Sequence, residues 1–372
     1  MNTTLSSSDQ MPATRTRLDA AQTDRLQAEL DALRRDVIAE RGAEDAVHIR
    51  KVIRGARSAA IAGRSLLMFG WGPLSWIAGV LALASAKILE NMEVGHNVMH
   101  GQYDWMNDPE LNSQTYDWDI VCAAEHWRHS HNVEHHNHTN ILGKDHDYGY
   151  GMLRLSELQR WTPAALLQPF WYLLLAINFQ WGVAVHDVKI GRFVKGRMSR
   201  AEFSERMRPL VSKASRQLFK DYLLFPALAF WQWPRVLLGN LAANLIRNVW
   251  TNAIIFCGHF TEHAHTFSRR ETANESRGDW YLRQIQGSSN LEGGPWFHLF
   301  TGHLSHQIEH HLFPDLPAAR YPQIAPKVRE ICARYGIHYN TGGFWKQYAG
   351  VLKRILVHAW PTRAIASPVT ST

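Results

Sequence analysis

Cysteine is scarce: the chain of 372 residues has three, Cys122, Cys257 and Cys332, too far apart for a CxxC pair. Within this chain that excludes a disulfide framework, a four-cysteine zinc site and a cysteine-ligated iron–sulfur cluster. No GxGxxG follows a strand-like run, and the zinc-protease motif HExxH is missing because Asn97 follows His96. Charged residues are 20% of the chain against 45% apolar ones, which excludes a disordered or low-complexity polymer. The excess of Lys and Arg over Asp and Glu, +7, suits an anionic surface or ligand and does not call for nucleic acid.

What charge there is avoids several long stretches. Residues 1–17 are Ser/Thr-rich, lack an apolar segment and do not read as a secretory signal peptide. Over 18–57, Leu26, Leu30, Leu33 and Val37 recur at helical spacing and predict an amphipathic cytosolic helix packed on another element. Uncharged runs follow at 65–86, 161–185, 222–233 and 236–260, the last broken by Arg247 alone. About 20 apolar residues cross a bilayer, and three or four such spans fill only about a quarter of this chain, so a mean hydropathy of −0.28 is no obstacle. The Lys/Arg-rich segment 189–220 belongs on the cytoplasmic side. Parity then makes 161–185 an interfacial or returning segment, with hairpins at 59–70/74–89 and 222–233/236–260. The expected fold is an all-α integral membrane bundle of about four spans plus that interfacial segment, under a cytosolic helical cap. Its parts are an N-terminal tail and helix (1–57), a membrane-embedded domain (58–315) and cytosolic C-terminal helices (316–372). One of these helices lies near 326–334. Another gathers Phe344, Tyr348, Val351, Leu352, Ile355 and Leu356 on one face, and a frayed tail follows from Pro361.

Histidine, by contrast, is plentiful. Of 21, sixteen fall within 96–138 and 259–311, beside the apolar runs. His96-x-x-x-His100, His131-x-x-x-His135-His136 and His306-x-x-x-His310-His311 each place a pair one helical turn apart, where both imidazoles reach one metal. The second member of each doublet points about 100° away, toward a second metal or a supporting role. Imidazole serves zinc, copper and iron alike, but eight box histidines exceed a four-coordinate zinc and fit two metals with open positions for oxygen. A carboxylate-bridged pair of irons would need Glu-x-x-His elements. Glu93-x-x-His96 and Glu262-x-x-His265 match, yet they leave both doublets unexplained. Glu134 and Glu309, beside the doublets, are candidates to support the ligands, while Asp145 and Asp147 read first as loop charge. Arg247 is expected to pair with Glu90 or to snorkel. Asn252, seven residues before His259, shares its helix face.

These boxes resemble those of the integral-membrane fatty-acid desaturases. The likeness rests on Gly-His-Asn-Val-Met-His-Gly at 95–101, on 127–140 ending His-His-Asn-His-Thr-Asn, and on 302–317 including Gln-Ile-Glu-His-His-Leu-Phe-Pro. It runs from about Ile88 to Tyr339 and looks nearest to the actinobacterial acyl-CoA (stearoyl-CoA) Δ9 group. In two boxes the first His stands one place further out than in the familiar HxxHH, and Gln307 occupies the usual first position of the third. The resemblance implies a di-iron centre held by His96, His100, His131, His135, His136, His306, His310 and His311. A further ligand is expected near the end of the last membrane helix: His259, with His263 as competitor. It also implies O2-dependent insertion of a cis double bond, at position 9, into a saturated C16–C18 acyl-CoA. No acid–base group ionises an alkyl C–H, so the oxidant has to be a bound metal. The implied setting is the cell (inner) membrane and its lipid, with the boxes facing the cytoplasm. Electrons would come from a separate NADPH-dependent flavin/iron–sulfur reductase or ferredoxin. The nearest alternative is a hydroxylase or oxidative decarboxylase on the same scaffold. The alternative of another class is a non-enzymatic membrane metal-binding or transport protein.

Overall fold

α1 (Ala20–Glu40) starts behind Asp19, whose carboxylate accepts the Gln22 amide while the Gln22 side chain accepts the Asp19 amide. Two amides of an unpaired first turn are thus satisfied. The computed structural model to which this helix belongs describes residues 15–361. The expectations of no signal peptide and of a frayed tail therefore fall largely on 1–14 and 362–372, outside the described residues.

α2 (Ala43–Phe69) and α3 (Gly72–Ile88) form a hairpin turned at Gly70-Trp71-Gly72, where Gly72 has φ +75°. The two helices close on glycine: a Cβ at Gly63 would lie 2.7 Å from the Leu83 nitrogen and 2.9 Å from the Gly79 oxygen. α3 continues through a π-helical stretch, Leu89–His96, into Asn97–Met99. The run at 161–185 becomes α4 (Gln168–Ile177) and a second helix, Phe179–Asp187, separated by a break at Asn178. α5 (Arg200–Leu218) extends through Phe219–Leu224 and Phe225–Leu228, then turns into α6 (Trp233–His259).

Among the described residues one helix, Gly72–Met99, is long and apolar enough to cross a bilayer by length and composition. About four such spans were expected. The others fall short because they carry charge and amide groups. α2 holds Arg54, Arg57 and Arg64, and α6 holds Arg247 with Asn240, Asn244, Asn248 and Asn252 at every fourth position. Those asparagines are buried, whereas Leu238, Leu241, Leu245 and Val249 of α6 are exposed. α6 is therefore polar inward and apolar outward, the reverse of a helix on a water-soluble core. Ile61, Phe69, Trp71, Leu74 and Leu81 of the first hairpin extend the apolar exterior, as do Leu223, Leu228, Phe230 and Trp231. Inside it, Asp221 accepts from Lys87 at 2.8 Å, Arg64 at 3.2 Å and Asn244 at 3.2 Å. Arg247 does not reach Glu90. It donates to Asn248 at 3.0 Å, while Glu90 accepts the Tyr116 hydroxyl at 2.5 Å.

The cap completes the chain with α7 (Arg277–Gln286), α8 (Tyr321–Arg334) and α9 (Phe344–Ala359). The Leu26, Leu30, Leu33 and Val37 stripe of α1 is buried, as its spacing predicts. It packs against Tyr281 and Ile285 of α7, Ile324, Val328 and Ile331 of α8, and Ile308 and Leu312 between them. α1, α7 and α8 thus share one core around the third histidine segment. α9 buries Val351 and Ile355 and leaves Leu352 and Leu356 outside. Among the described residues the one sheet is a parallel pair, Asn290–Glu292 with Thr341–Gly343, so the all-α expectation holds.

The glycine contact makes a paired prediction. Gly63→Ala should destabilise the detergent-solubilised protein by about 1–3 kcal/mol through overpacking. Gly55→Ala on the same helix, where a Cβ meets nothing within 4 Å, should stabilise by up to about 1 kcal/mol. Thermal unfolding of the two variants checks the opposite signs.

Candidate metal centre

Eight imidazoles meet where the first hairpin, α6 and the cap join. His96 and His100 project from the end of the Gly72–Met99 helix, with ring centres 4.6 Å apart. The second box lies on a π-helical stretch, Arg128–His135, whose widened i→i+5 turn is a frequent device at functional sites. It leaves His131 and His135 nearly parallel, 4.9 Å apart at 27°. His136 starts the next turn, at 81° to His135, and stacks on His311 at 4.2 Å. His259 ends α6, and His310 and His311 diverge by 89° from the helix Gln307–Leu312. The ligating nitrogens of His96, His100, His131 and His310 lie within 4.8 Å of one another, as do those of His135, His259 and His311. His136 forms a third such set with His310 and His311, linking the two groups.

Which nitrogen faces inward is fixed from behind. Nδ1 of His131 bonds Asp147 at 2.8 Å, and Nδ1 of His135 bonds Asp145 at 2.9 Å. Nδ1 of His311 bonds the Gln284 oxygen at 3.0 Å, Nδ1 of His96 the Asn97 oxygen at 3.0 Å, and Nδ1 of His259 the Gly287 carbonyl at 3.3 Å. An Nδ1 that donates outward leaves Nε2 as the lone-pair nitrogen. Nε2 of His100, His131, His136 and His310 is buried with no hydrogen-bond partner. Each such atom costs about 1–3 kcal/mol if left unsatisfied, and four together are reasonable only as ligands. The donor set therefore fits a pair of metal ions.

Charge state agrees. Burial, reinforced by neighbouring imidazoles, pushes His131, His136, His310 and His311 well below the ordinary histidine range, so they stay neutral, the form that binds a cation. Burial also pulls His135 down, but the Asp145 charge and hydrogen bond raise it above its usual value. Burial pushes Asp147 up to about 7.

Other expected participants stand apart. The third helix begins at Gln307, so His306 sits in the preceding turn, its ring 4.5 Å from His298. Gln307 takes the inward position, its amide nitrogen 2.9 Å from His259 Nε2. His263 pairs with His338 at 5.4 Å, leaving His259 as the histidine beside the cluster. Glu93 lies between His48 and His303, at 3.0 and 2.8 Å, and Glu262 holds Lys353 at 2.8 Å. Neither Glu-x-x-His element brings a carboxylate to the centre. Glu134 binds Lys189, and Glu309 binds Asn290 and Tyr339, so the acidic groups behind the ligands are Asp145 and Asp147 instead. Asn252 is buried with both amide atoms unpartnered. The spacing of the histidines carried no sign of Gln284 or Asn97.

A cavity of about 20 Å³ adjoins the rings, lined by His96, His131, His135, His259, Asp147 and Gln307 together with Tyr150, Ile255, Phe260 and Leu304. A sequence description named Fatty acid desaturase matches residues 53–343. The chain belongs to the fatty acid desaturase family. It is 49% identical over 335 residues to the NADPH-dependent stearoyl-CoA 9-desaturase of Mycobacterium tuberculosis, covering 89% of this chain and 78% of that protein. It is 28% identical to the sn-1 linoleoyl-lipid 6-desaturase of Synechocystis, over 71% of this chain and 75% of that one. To human fatty acid desaturase 3 it is 25% identical, over 78% and 62%. This desaturase is thus an oxidoreductase of lipid metabolism with buried histidine clusters, and not a metal carrier.

Two predictions follow from the hydrogen bonds and the burial. Asp145→Asn should lower metal affinity about 10–100-fold, read as metal per chain after equilibration with limiting ion. For protein stripped by a chelator, the depressed histidines, these four among them, take up protons on unfolding that the folded state refuses. Their stability is complete above about pH 6.5 and is lost as pH falls below it, by up to about 1.4 kcal/mol per unit per histidine, with His135 offsetting one of them. A melting temperature that stays flat between about pH 7.5 and 5.5 would contradict their neutral state.

Proposed function

We propose that this desaturase inserts a cis double bond at position 9 of a saturated C16–C18 acyl-CoA, using O2 and electrons that originate in NADPH. The observation that carries the reading is the convergence of buried, unpartnered imidazole nitrogens on one another. The name and 49% identity of the mycobacterial relative support the substrate and the position. We assign His96, His100, His131 and His310 to one iron and His135, His259 and His311 to the other, with His136 between them. His306 is left out. Bound iron supplies the oxidising power toward an unactivated C–H bond that no side chain has.

The chain's own residues do the rest. Tyr150, Ile255, Phe260 and Leu304 put apolar surface beside the imidazoles and keep bulk water away from them. Asp145, Asp147 and Gln284 hold the rings in one tautomer. The outcome depends on which methylene pair is held at the centre, because orientation selects the bond that reacts. The apolar exterior and inward asparagines support a crossing by both hairpins, in the cell membrane. The Lys and Arg of α5 support a cytoplasmic position for the histidine boxes.

Membranes containing the protein, given stearoyl-CoA, a reductase and NADPH, should yield oleate, located by mass spectrometry of the derivatised product. Hydroxy acid or terminal alkene as main product would reject desaturation, and conversion of only lipid-linked chains would reject the CoA substrate. His310→Ala should lose metal and reduce activity more than about 10²-fold, as removal of a metal-catalysed path does. His306→Ala should keep its metal.

A further inference from the structure

We propose that an acidic iron–sulfur protein docks on a basic cytosolic groove of this desaturase, from which Trp118 and Trp127 conduct electrons to the histidine centre. The inference rests on the proposed function and adds the place of electron entry. Trp127 stacks on His131 at 4.4 Å and 19°, and it lies edge-on to His96 at 5.4 Å and His100 at 5.5 Å. Trp118 packs on Trp127 at 5.0 Å, fixed by its indole N–H donating to the Cys122 carbonyl at 2.8 Å. Two touching indoles thus join the ligand rings to the segment 115–118.

That segment and α5 enclose an open groove of about 410 Å³. Its walls include Asp117 and Arg128, the chain neighbours of the two tryptophans, with Arg208, Lys213 and Arg216 of α5 opposite. Lys213 donates to the Trp118 carbonyl at 2.9 Å and also pairs with Asp117. Among the described residues, Arg128, Arg208 and Arg216 have no carboxylate within ion-pair distance, and Arg208 and Arg216 are exposed. Four cations against Asp117 and Glu125 leave the groove positive. Retention of positive loops in the cytoplasm accounts for the sign of these charges. It does not account for their gathering over the indole pair.

The electron balance calls for such a partner. Removing two hydrogens from the chain while reducing O2 to two waters takes two further electrons and two protons. NADPH gives up its electrons as a pair, and an iron–sulfur protein delivers them singly, with protons from solvent. The indoles act as close-packed bridges and are not themselves oxidised. Electronic coupling falls steeply with distance, and the buried indole pair ends one residue from the groove, where the Trp118 carbonyl accepts from the lining Lys213 at 2.9 Å, so this entry is favoured over longer paths.

The probe is a plant-type [2Fe–2S] ferredoxin, with ferredoxin reductase and NADPH, acting on the full chain in detergent. The double variant Arg208→Glu/Arg216→Glu should bind ferredoxin about tenfold more weakly at low ionic strength, the difference shrinking as salt rises. Its turnover with a chemical reductant should match wild type. Trp118→Leu should bind ferredoxin and metal normally but show several-fold slower reduction of the centre by pre-reduced ferredoxin in stopped flow. Trp118→Met, which fills much of the same space without an aromatic ring, replaces it if metal is lost. Unchanged ferredoxin affinity in the charge variant, or weaker binding to phosphatidylglycerol vesicles in its place, overturns the docking site. An unchanged reduction rate in the Trp118 variant overturns the route. Failure of wild-type protein to desaturate stearoyl-CoA with any reductant would overturn the functional reading instead, and the binding comparison is independent of that result.

Discussion

An imidazole offers two nitrogens, and a centre made of eight of them has no defined geometry until each ring is told which to present. Here the instruction comes from hydrogen bonds on the far side of the rings, to Asp145, Asp147, Gln284, Asn97 and the Gly287 carbonyl. These acceptors belong to a loop, to α7 and to the first box itself, so the surrounding fold has to bring them into place. Arg283 does part of this, donating to the carbonyls of Thr139 and Asn137 at 3.0 and 2.9 Å while pairing with Glu275. Asn140 does another part. It adopts φ +57°, a conformation non-glycine residues rarely hold, and its amide donates to the carbonyls of His265 and Gly287, both at 2.9 Å. The same amide approaches the His259 carbonyl at 3.3 Å. One residue thus joins the end of the second box, the end of α6 and the loop after α7.

The arrangement carries an energetic burden that explains the two cores on either side. Neutral imidazoles buried without donors weaken the fold, and metal binding returns that free energy, so metal affinity and folding stability are linked. The cap opposes the burden with the α1–α7–α8 cluster, from Leu26 to Ile331. The opposite side is packed by Tyr148, Tyr172, Phe256, Phe260 and Leu304 together with Val351 and Ile355 of α9. Deeper still, the Asp221 carboxylate is matched by Lys87, Arg64 and Asn244, since a buried charge that loses its partner costs about 3–5 kcal/mol.

Local periodicity carried much of this into view. The α1 stripe, the hairpins and the divergence of each doublet follow from 3.6 residues per turn, and all eight clustered histidines belong to the boxes or to the position before Phe260. Periodicity failed where helix boundaries or long-range closure decide. His306 looked equivalent to His131 because both precede a His by four residues, but its helix starts one residue later and Gln307 faces inward. Asp145 and Asp147 looked like loop charge because nothing local reveals that the loop folds back on the second box, with the Asn140 amide donating to Asp145 at 2.7 Å. Composition registers one span where about four were expected, for a related reason. A helix such as α6 that turns asparagines inward and leucines outward has a modest average, and only its orientation in the fold shows which face is which.

That inversion also bears on the chemistry. A soluble carboxylate-bridged centre can draw Glu and His from the interior of one bundle, whereas this chain gathers ligands from segments at 96–100, 131–136, 259 and 310–311, at the cap end of the bundle. Placing the imidazoles there sets polar supporting groups, Asp145, Asp147 and Gln284, behind the rings and brings Tyr150, Ile255, Phe260 and Leu304 beside them. The two sides impose different demands: the polar one must hold tautomers rigidly, and the apolar one must hold an unreactive chain in a single register. Since a metal pair held by these imidazoles would act on any C–H within reach, selectivity would have to come from the apolar side. Changes there should alter the product more readily than changes among the histidines, which alter whether there is a centre at all.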